Sequence, residues 1–232
     1  MSAPKHNRKS KRVMVVEDHP MTREGLVHLI DREADLGVEW QAENATQALD
    51  IVVAQQPDLI LLDITLPGKG GIDLIKDMRA IRPDLLILVV SMHDESLYAE
   101  RALRAGARGY ITKDAGGAKI MQAIRQVLGG QIYVSDKTSA RILEIFSGQR
   151  TNHPQSPVAQ LSDREFEVFQ LIGQGHSTKE IGEKLNISSK TVEVHRLNIK
   201  NKLNLGSATE LIAYAARWSG SQSDGTAAGS VR

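Results

Sequence analysis

Apolar residues in the first half of the chain follow two rhythms. Short runs of them, RVMVVE (12–17), GVEWQAE (37–43), DLILLD (58–63), LLILVVS (85–91) and RGYIT (108–112), have the length and composition of strands. Between these runs apolar positions recur at helical spacing, as at Leu26, Leu29 and Ile30, and predict helices over 20–33, 44–55, 71–81, 95–105 and 116–128. Pro20 suits the start of the first helix, and Asn44 with Gln47 is a capping pair for the second. The strands at 58–63 and 85–91 are apolar on both faces, as in a parallel sheet covered by helices on both sides. Five strand-then-helix units over 11–130 therefore predict an α/β domain with a doubly wound five-stranded parallel sheet.

The pattern changes in the second half, where no strand is predicted. Helices are expected over 162–173, 178–185, 189–203 and 207–218, with S-x-x-E capping pairs at Ser162/Glu165, Ser177/Glu180 and Ser207/Glu210. Gly175, Asn186 and Gly206 stand where helices stop. Four short helices with tight turns fit an all-α helix-turn-helix module over 161–218. Residues 131–160 connect the halves, with a helix expected near 135–147 and a polar stretch containing two prolines after it. The Gly/Ser/Ala-rich end, 219–232, is expected to be disordered.

Composition adds limits. A chain of 232 residues suffices for two modest cores, and no apolar run approaches the roughly 20 residues of a membrane-spanning helix. The basic start, MSAPKHNRKSKR, leads into a short strand and lacks the features of a secretory signal. The absence of cysteine excludes disulfides and thiolate metal sites. A cytoplasmic location, without membrane association, is the expectation. The net charge of +1 conceals an acidic segment, 13–160, and a concentration of four bases against one acid between Lys190 and Lys202.

Candidate chemistry gathers at strand ends. Parallel sheets bind ligands at the carboxyl ends of their strands, where strand order reverses. Glu17 and Asp18 follow the first strand there, and Asp63 the third. Converging carboxylates repel one another, and Mg²⁺ resolves that repulsion with oxygen ligands. A carboxylate so held is a candidate nucleophile toward phosphorus. Ser91 and Lys113, at the ends of the fourth and fifth strands, offer a hydroxyl and an ammonium to phosphoryl oxygens. In the second half, residues 178–185 and 189–203 flank a short turn, an arrangement that can lay its second helix in the DNA major groove.

Glu17-Asp18, Asp63 followed by ITLPGKGG, Ser91 and YITKD with Lys113 resemble the receiver domain of two-component response regulators. The stretch LSDREFEVFQLIGQGHSTKEIGEKLNISSKTVEVHRLNIKNKL resembles the LuxR-type DNA-binding domain, and the whole chain a NarL/FixJ-type regulator. The resemblance implies a flavodoxin-like receiver whose Asp63 accepts a phosphoryl group from a sensor histidine kinase or a small phosphodonor. It implies Mg²⁺ held by Asp18, Asp63 and the backbone carbonyl of Thr65, with Glu17 acting through water. It implies that Lys113 pairs with the phosphoryl group, that Ser91 hydrogen-bonds it, and that Tyr110 turns inward behind Ser91. Gly70 stands where such receivers usually carry Asp or Asn.

For the second domain, the resemblance makes 189–203 the recognition helix on double-stranded promoter DNA. Glu193, Val194 and Leu197 face the groove floor, and Lys190, Thr191, His195, Arg196 and Lys200 make phosphate or flanking contacts. Leu197 replaces a polar residue of relatives and suggests contact with a thymine methyl. Phosphorylation is expected to promote a homodimer. Such a protein is not a turnover enzyme, although its own phosphoryl group is slowly hydrolysed. Three other classes fit less well. A haloacid-dehalogenase-type phosphatase needs a second Asp where Thr65 stands, and a nucleotide-binding enzyme needs a glycine-rich loop where EDHPM stands. A DNA binder indifferent to phosphate has no use for the full acid, hydroxyl and lysine set.

Overall fold

The structure is a computed structural model that describes residues 10–146 and 157–227. It divides into two compact units, Met1–Gln149 and Arg150–Arg232. The basic start through residue 9, the polar stretch 147–156 and the last five residues lie outside the described residues.

In the first unit, strands β1 (Lys11–Val16), β2 (Leu36–Ala42), β3 (Leu59–Leu62), β4 (Ile87–Ser91) and β5 (Gly109–Thr112) form one sheet in the order β2-β1-β3-β4-β5. Each neighbouring pair is parallel. Helices α1 (Pro20–Asp31), α2 (Ala45–Ala54), α3 (Gly71–Ile81), α4 (Glu95–Ala105) and α5 (Gly117–Leu128) alternate with the strands as the pattern predicts. Side chains alternate across each strand. Val13, Val15, Leu59, Leu61, Leu88 and Val90 pack with Leu26 and Ile30 of α1 and with Ile120, Ile124 and Val127 of α5. Met14, Val16, Ile60 and Leu62 lie at the intervening positions and are equally buried. Each aliphatic side chain removed from water in this way contributes about 1.5–3 kcal/mol, which is why four-residue strands suffice.

Local chemistry sets the element ends. The Asn44 side chain accepts from Gln47 N at 3.0 Å, while Gln47 Oε1 accepts from Glu43 N at 2.9 Å. Strand order reverses between β1 and β3, since the chain leaves β1 for one edge and returns at β3 to build the other. Both edges are blunted. On β2, Val38 and Trp40 pair with consecutive residues Val13 and Met14, so Glu39 is an extra residue. On β5, Tyr133 continues the pairing: Tyr110 N donates to Tyr133 O at 2.8 Å and Tyr133 N to Arg108 O at 3.1 Å. Helix α6 (Asp136–Phe146) follows, within the expected 135–147.

The second unit holds a short 3-10 turn, Pro157–Gln160, and helices α7 (Asp163–Gly173), α8 (Thr178–Leu185), α9 (Ser189–Lys202) and α10 (Ala208–Ala227). Two expected capping boxes are complete, at Ser162/Glu165 and Ser177/Glu180. At the third, Ser207 Oγ accepts from Glu210 N at 3.1 Å, but Glu210 Oε2 accepts from Gly206 N at 2.8 Å. The core is Phe166, Val168, Phe169, Ile172, Ile181, Val192, Ile199, Leu211 and Ala215. Trp218 stands edge-on to Phe166 and Phe169, with ring centroids 5.7 and 5.4 Å away.

The last helix was expected over 207–218, and α10 runs from Ala208 to Ala227. At Gly173 the two helices approach closely: a Cβ there would collide with Ser219 Oγ and lie 2.7 Å from Ala215 O. Without one, α10 packs directly against the end of α7 as far as Ser219.

Candidate functional site

The reversal point between β1 and β3 brings the acids together. β1 ends at Val16, so Glu17 and Asp18 fall at its carboxyl edge, and Asp63 falls one residue past β3. Asp63 N donates to Val16 O at 2.9 Å and Glu17 N to Ala42 O at 3.0 Å, which fixes both residues against the sheet. Glu17 is 1% exposed and Asp63 3%. Two buried carboxylates need a cation, and Lys113 supplies it: its Nζ lies 2.6 Å from Asp63 Oδ2 and 2.6 Å from Glu17 Oε2. Burial pulls the Lys113 ammonium down, but the hydrogen bonds and charges of Asp63 and then Glu17 outweigh it and hold the group above its usual range. The other Asp63 oxygen, Oδ1, accepts from Thr65 N at 3.0 Å.

Asp18 is more exposed, and its Oδ1 lies 2.9 Å from His19 Nδ1, which also stands 3.3 Å from Glu17 Oε1. Glu17, Asp18 and His19 thus form a group whose ligand atoms lie within 4.8 Å of one another. The participation of His19 was not expected. Its adjacency to two acids was the available signal. Three carboxylates and one ammonium leave the site short of positive charge, and oxygen donors of this kind fit a hard divalent cation.

Ser91 ends β4, fully buried, and its Oγ accepts from His93 N at 3.3 Å. Tyr110 is also fully buried and donates to His93 O at 3.0 Å. Burial holds its phenol well above the ordinary range. The His93 ring stacks on Tyr98, with centroids 4.8 Å apart, and burial keeps its imidazole below the usual value. The loop after Asp63 closes tightly: a Cβ on Gly71 would lie 2.7 Å from Ile64 O, so only glycine fits that approach.

In the second unit, α8 and α9 are separated by a turn in which Asn186 takes φ 49°, and Ser188 caps α9 by accepting from Thr191 N at 3.0 Å. Of the residues expected at DNA, Lys190, Glu193, Val194 and Leu197 are exposed and share one face of α9, with Lys200 partly exposed beside them. The Thr191 hydroxyl is engaged with Ser188 Oγ at 2.8 Å. His195 is half-buried with its Nδ1 enclosed, and burial and then Arg164 hold it below the usual histidine range. Arg196 was expected to make phosphate or flanking contacts. Its side chain is only 15% exposed, and its guanidinium faces Thr178 and Glu193.

The fold and both sites describe a response regulator, with a receiver and a helix-turn-helix on one chain. The response regulator receiver domain matches residues 13–125, and the luxR family of bacterial regulatory proteins matches residues 159–215. The oxygen regulatory protein NreC of Staphylococcus carnosus is 35% identical over 210 residues, covering 89% of this chain and 97% of that one. The response regulator GacA of Pseudomonas aeruginosa is 36% identical over 206 residues, covering 89% and 95%. A LuxR-family two-component response regulator from Aurantimonas superposes with a TM-score of 0.55 at 36% identity, over 60% of this chain and 99% of that one. The chain belongs to the two-component response regulators of the NarL/FixJ type, with a receiver domain and a LuxR-type DNA-binding domain, and is a transcription regulator. Among the described residues no helix is long and apolar enough to cross a membrane.

Proposed function

We propose that this regulator is switched by phosphorylation of Asp63. The observation that carries the reading is a buried carboxylate at the sheet's reversal point with an ammonium 2.6 Å from one of its oxygens. A sensor histidine kinase is the donor in this reading. An Asp63 oxygen attacks phosphorus, the new P–O bond forms as the P–N bond of the phosphohistidine breaks, and the leaving imidazole takes a proton. Asp18, Asp63 and the Thr65 carbonyl would hold Mg²⁺, with Glu17 acting through water. The metal's contribution is to offset negative charge where phosphoryl oxygens gather.

The protein's own groups do the rest. Lys113 already stands on Asp63 and transfers one of its hydrogen bonds to the phosphoryl oxygens. Phosphorylation adds about −1.5 to −2 charge, and the buried Ser91 hydroxyl, at the end of the neighbouring strand β4, is a donor that can answer it. Moving Ser91 releases its contact with His93 N, and His93 O is where the Tyr110 hydroxyl rests. The site thereby couples to β5 and α4, and biases the protein toward a homodimer that binds two half-sites on promoter DNA through α9. The protein accepts its phosphoryl group once per cycle, loses it by slow hydrolysis, and is not a turnover enzyme. It works in the cytoplasm.

Incubation with acetyl phosphate and Mg²⁺, read by intact-mass spectrometry, tests this. A single phosphoryl addition is expected, absent in Asp63→Asn. Equal labelling of that variant overturns Asp63 as the acceptor, and a promoter affinity indifferent to labelling overturns the switch.

A further inference from the structure

Helix α9 carries one acid among its bases. Between Lys190 and Lys202 that acid is Glu193. A carboxylate brought near a phosphate backbone is repelled, so its place on the exposed face of this helix is unfavourable unless a donor meets it. Glu193 is also held in position from two sides. Thr178, the first residue of α8, donates its hydroxyl to Glu193 Oε1 at 2.7 Å. Arg196 donates to the same Thr178 hydroxyl at 3.4 Å, and its Nε lies 3.8 Å from Glu193 Oε1. One carboxylate oxygen is therefore anchored. The side chain is still 60% exposed, and no contact among the described residues occupies Oε2.

The exposed face around that carboxylate carries Lys190 one turn before it and two apolar side chains after it. Val194 and Leu197 lie one and four residues on, and are 51% and 53% exposed. They place an apolar surface beside a single, pre-oriented acceptor. In the major groove only cytosine N4 and adenine N6 offer amino donors. Adenine sets the acceptor N7 beside its amino group, which repels a carboxylate, while guanine and thymine present acceptors. The thymine methyl is the one apolar group in that groove, and it suits Val194 and Leu197.

We propose that Glu193, positioned by Thr178 and Arg196, selects a cytosine in each operator half-site, and that Leu197 and Val194 select a thymine beside it. Thr178 and Arg196 are positioning residues here. Their contacts fix the carboxylate before DNA arrives, so less rotamer freedom is lost on binding. The inference rests on the reading of α9 as the helix that enters the major groove.

The test is selection of sites from randomised duplex DNA by the full-length phosphorylated protein, followed by affinity measurements on single-base variants. The wild type is expected to select a half-site with cytosine next to thymine, and replacing that cytosine should weaken binding about tenfold or more. Glu193→Gln should move the preference at that position toward adenine, because glutamine pairs with both N6 and N7. Glu193→Ala should level it, at that position alone. Thr178→Val should keep cytosine but lower the discrimination. Sites selected identically by the wild type, Glu193→Gln and Glu193→Ala overturn the proposal and leave α9 as the reading helix. A responsive position that is not cytosine also overturns it. Wild-type binding without any selected sequence, unaffected by Lys190→Ala and Lys200→Ala, overturns the reading of α9 itself.

Discussion

Lys113 Nζ is shared between Asp63 and Glu17, at 2.6 Å from each, so one ammonium serves two buried carboxylates. Removing it leaves both without their cation. Lys113→Met should therefore destabilise the receiver by about 3–5 kcal/mol at neutral pH, the usual cost of breaking a buried pair from one side. Because the Lys113 pKa is raised in the folded state, its contribution is complete below the unfolded value of about 10.4 and is lost as pH rises through the higher folded value. Urea unfolding from pH 7 to 11.5 should show a stability decline above about pH 10.4 that is smaller in Lys113→Met. An identical decline in both proteins would assign the alkaline loss to other groups.

Glu165 has two duties in the second unit. Its Oε2 accepts from Ser162 N at 2.8 Å, closing the capping box of α7, and from Lys202 Nζ at 2.6 Å, at the end of α9. Burial raises its pKa, but Lys202 and the bonds with Ser162 outweigh that and hold the carboxyl below its usual range. A depressed value contributes stability above the unfolded value of about 4.3 that is lost as pH falls through the folded one. Thermal melts of the helical unit within the full chain should show this acid loss. Glu165→Ala should cost about 1–2 kcal/mol through the cap, and Glu165→Gln less, since glutamine still closes the box and Lys202 is well exposed. A glutamine variant as unstable as the alanine one would refute the cap as the main contribution.

Gly71 opens α3, where alanine ordinarily gains about 1 kcal/mol over glycine. Here the sign reverses, because the added Cβ meets the backbone of Ile64, next to Asp63. Gly71→Ala should destabilise by about 1–3 kcal/mol and slow labelling of Asp63 by displacing its loop. Denaturant unfolding and the acetyl phosphate time course check the two effects. A stabilised variant would show that the approach is not tight.

Much of this was legible in the sequence for identifiable reasons. Glu17, Asp18, Asp63, Ser91 and Lys113 each stand at the end of a strand, and parallel strands bring such ends to one edge, so residues up to about a hundred positions apart could be grouped without coordinates. Element starts were legible where a side chain makes the cap, as at Ser162 and Ser177. Contacts between elements were not. Family position offered Arg196 for phosphate or flanking contacts, but its contact with Thr178, eighteen residues earlier, was not legible. Composition ended α10 near Trp218, whereas the helix runs on to Ala227, and the close approach of α10 to Gly173 was not legible either.

The blunted edges of the sheet have a consequence for association. The extra residue in β2 breaks the regular row of backbone groups on one margin, and Tyr133 occupies those on the other. Both devices disfavour strand addition at the sheet margins. Contacts between side chains, which a change of charge can form and release, are thereby favoured where two copies of the receiver meet.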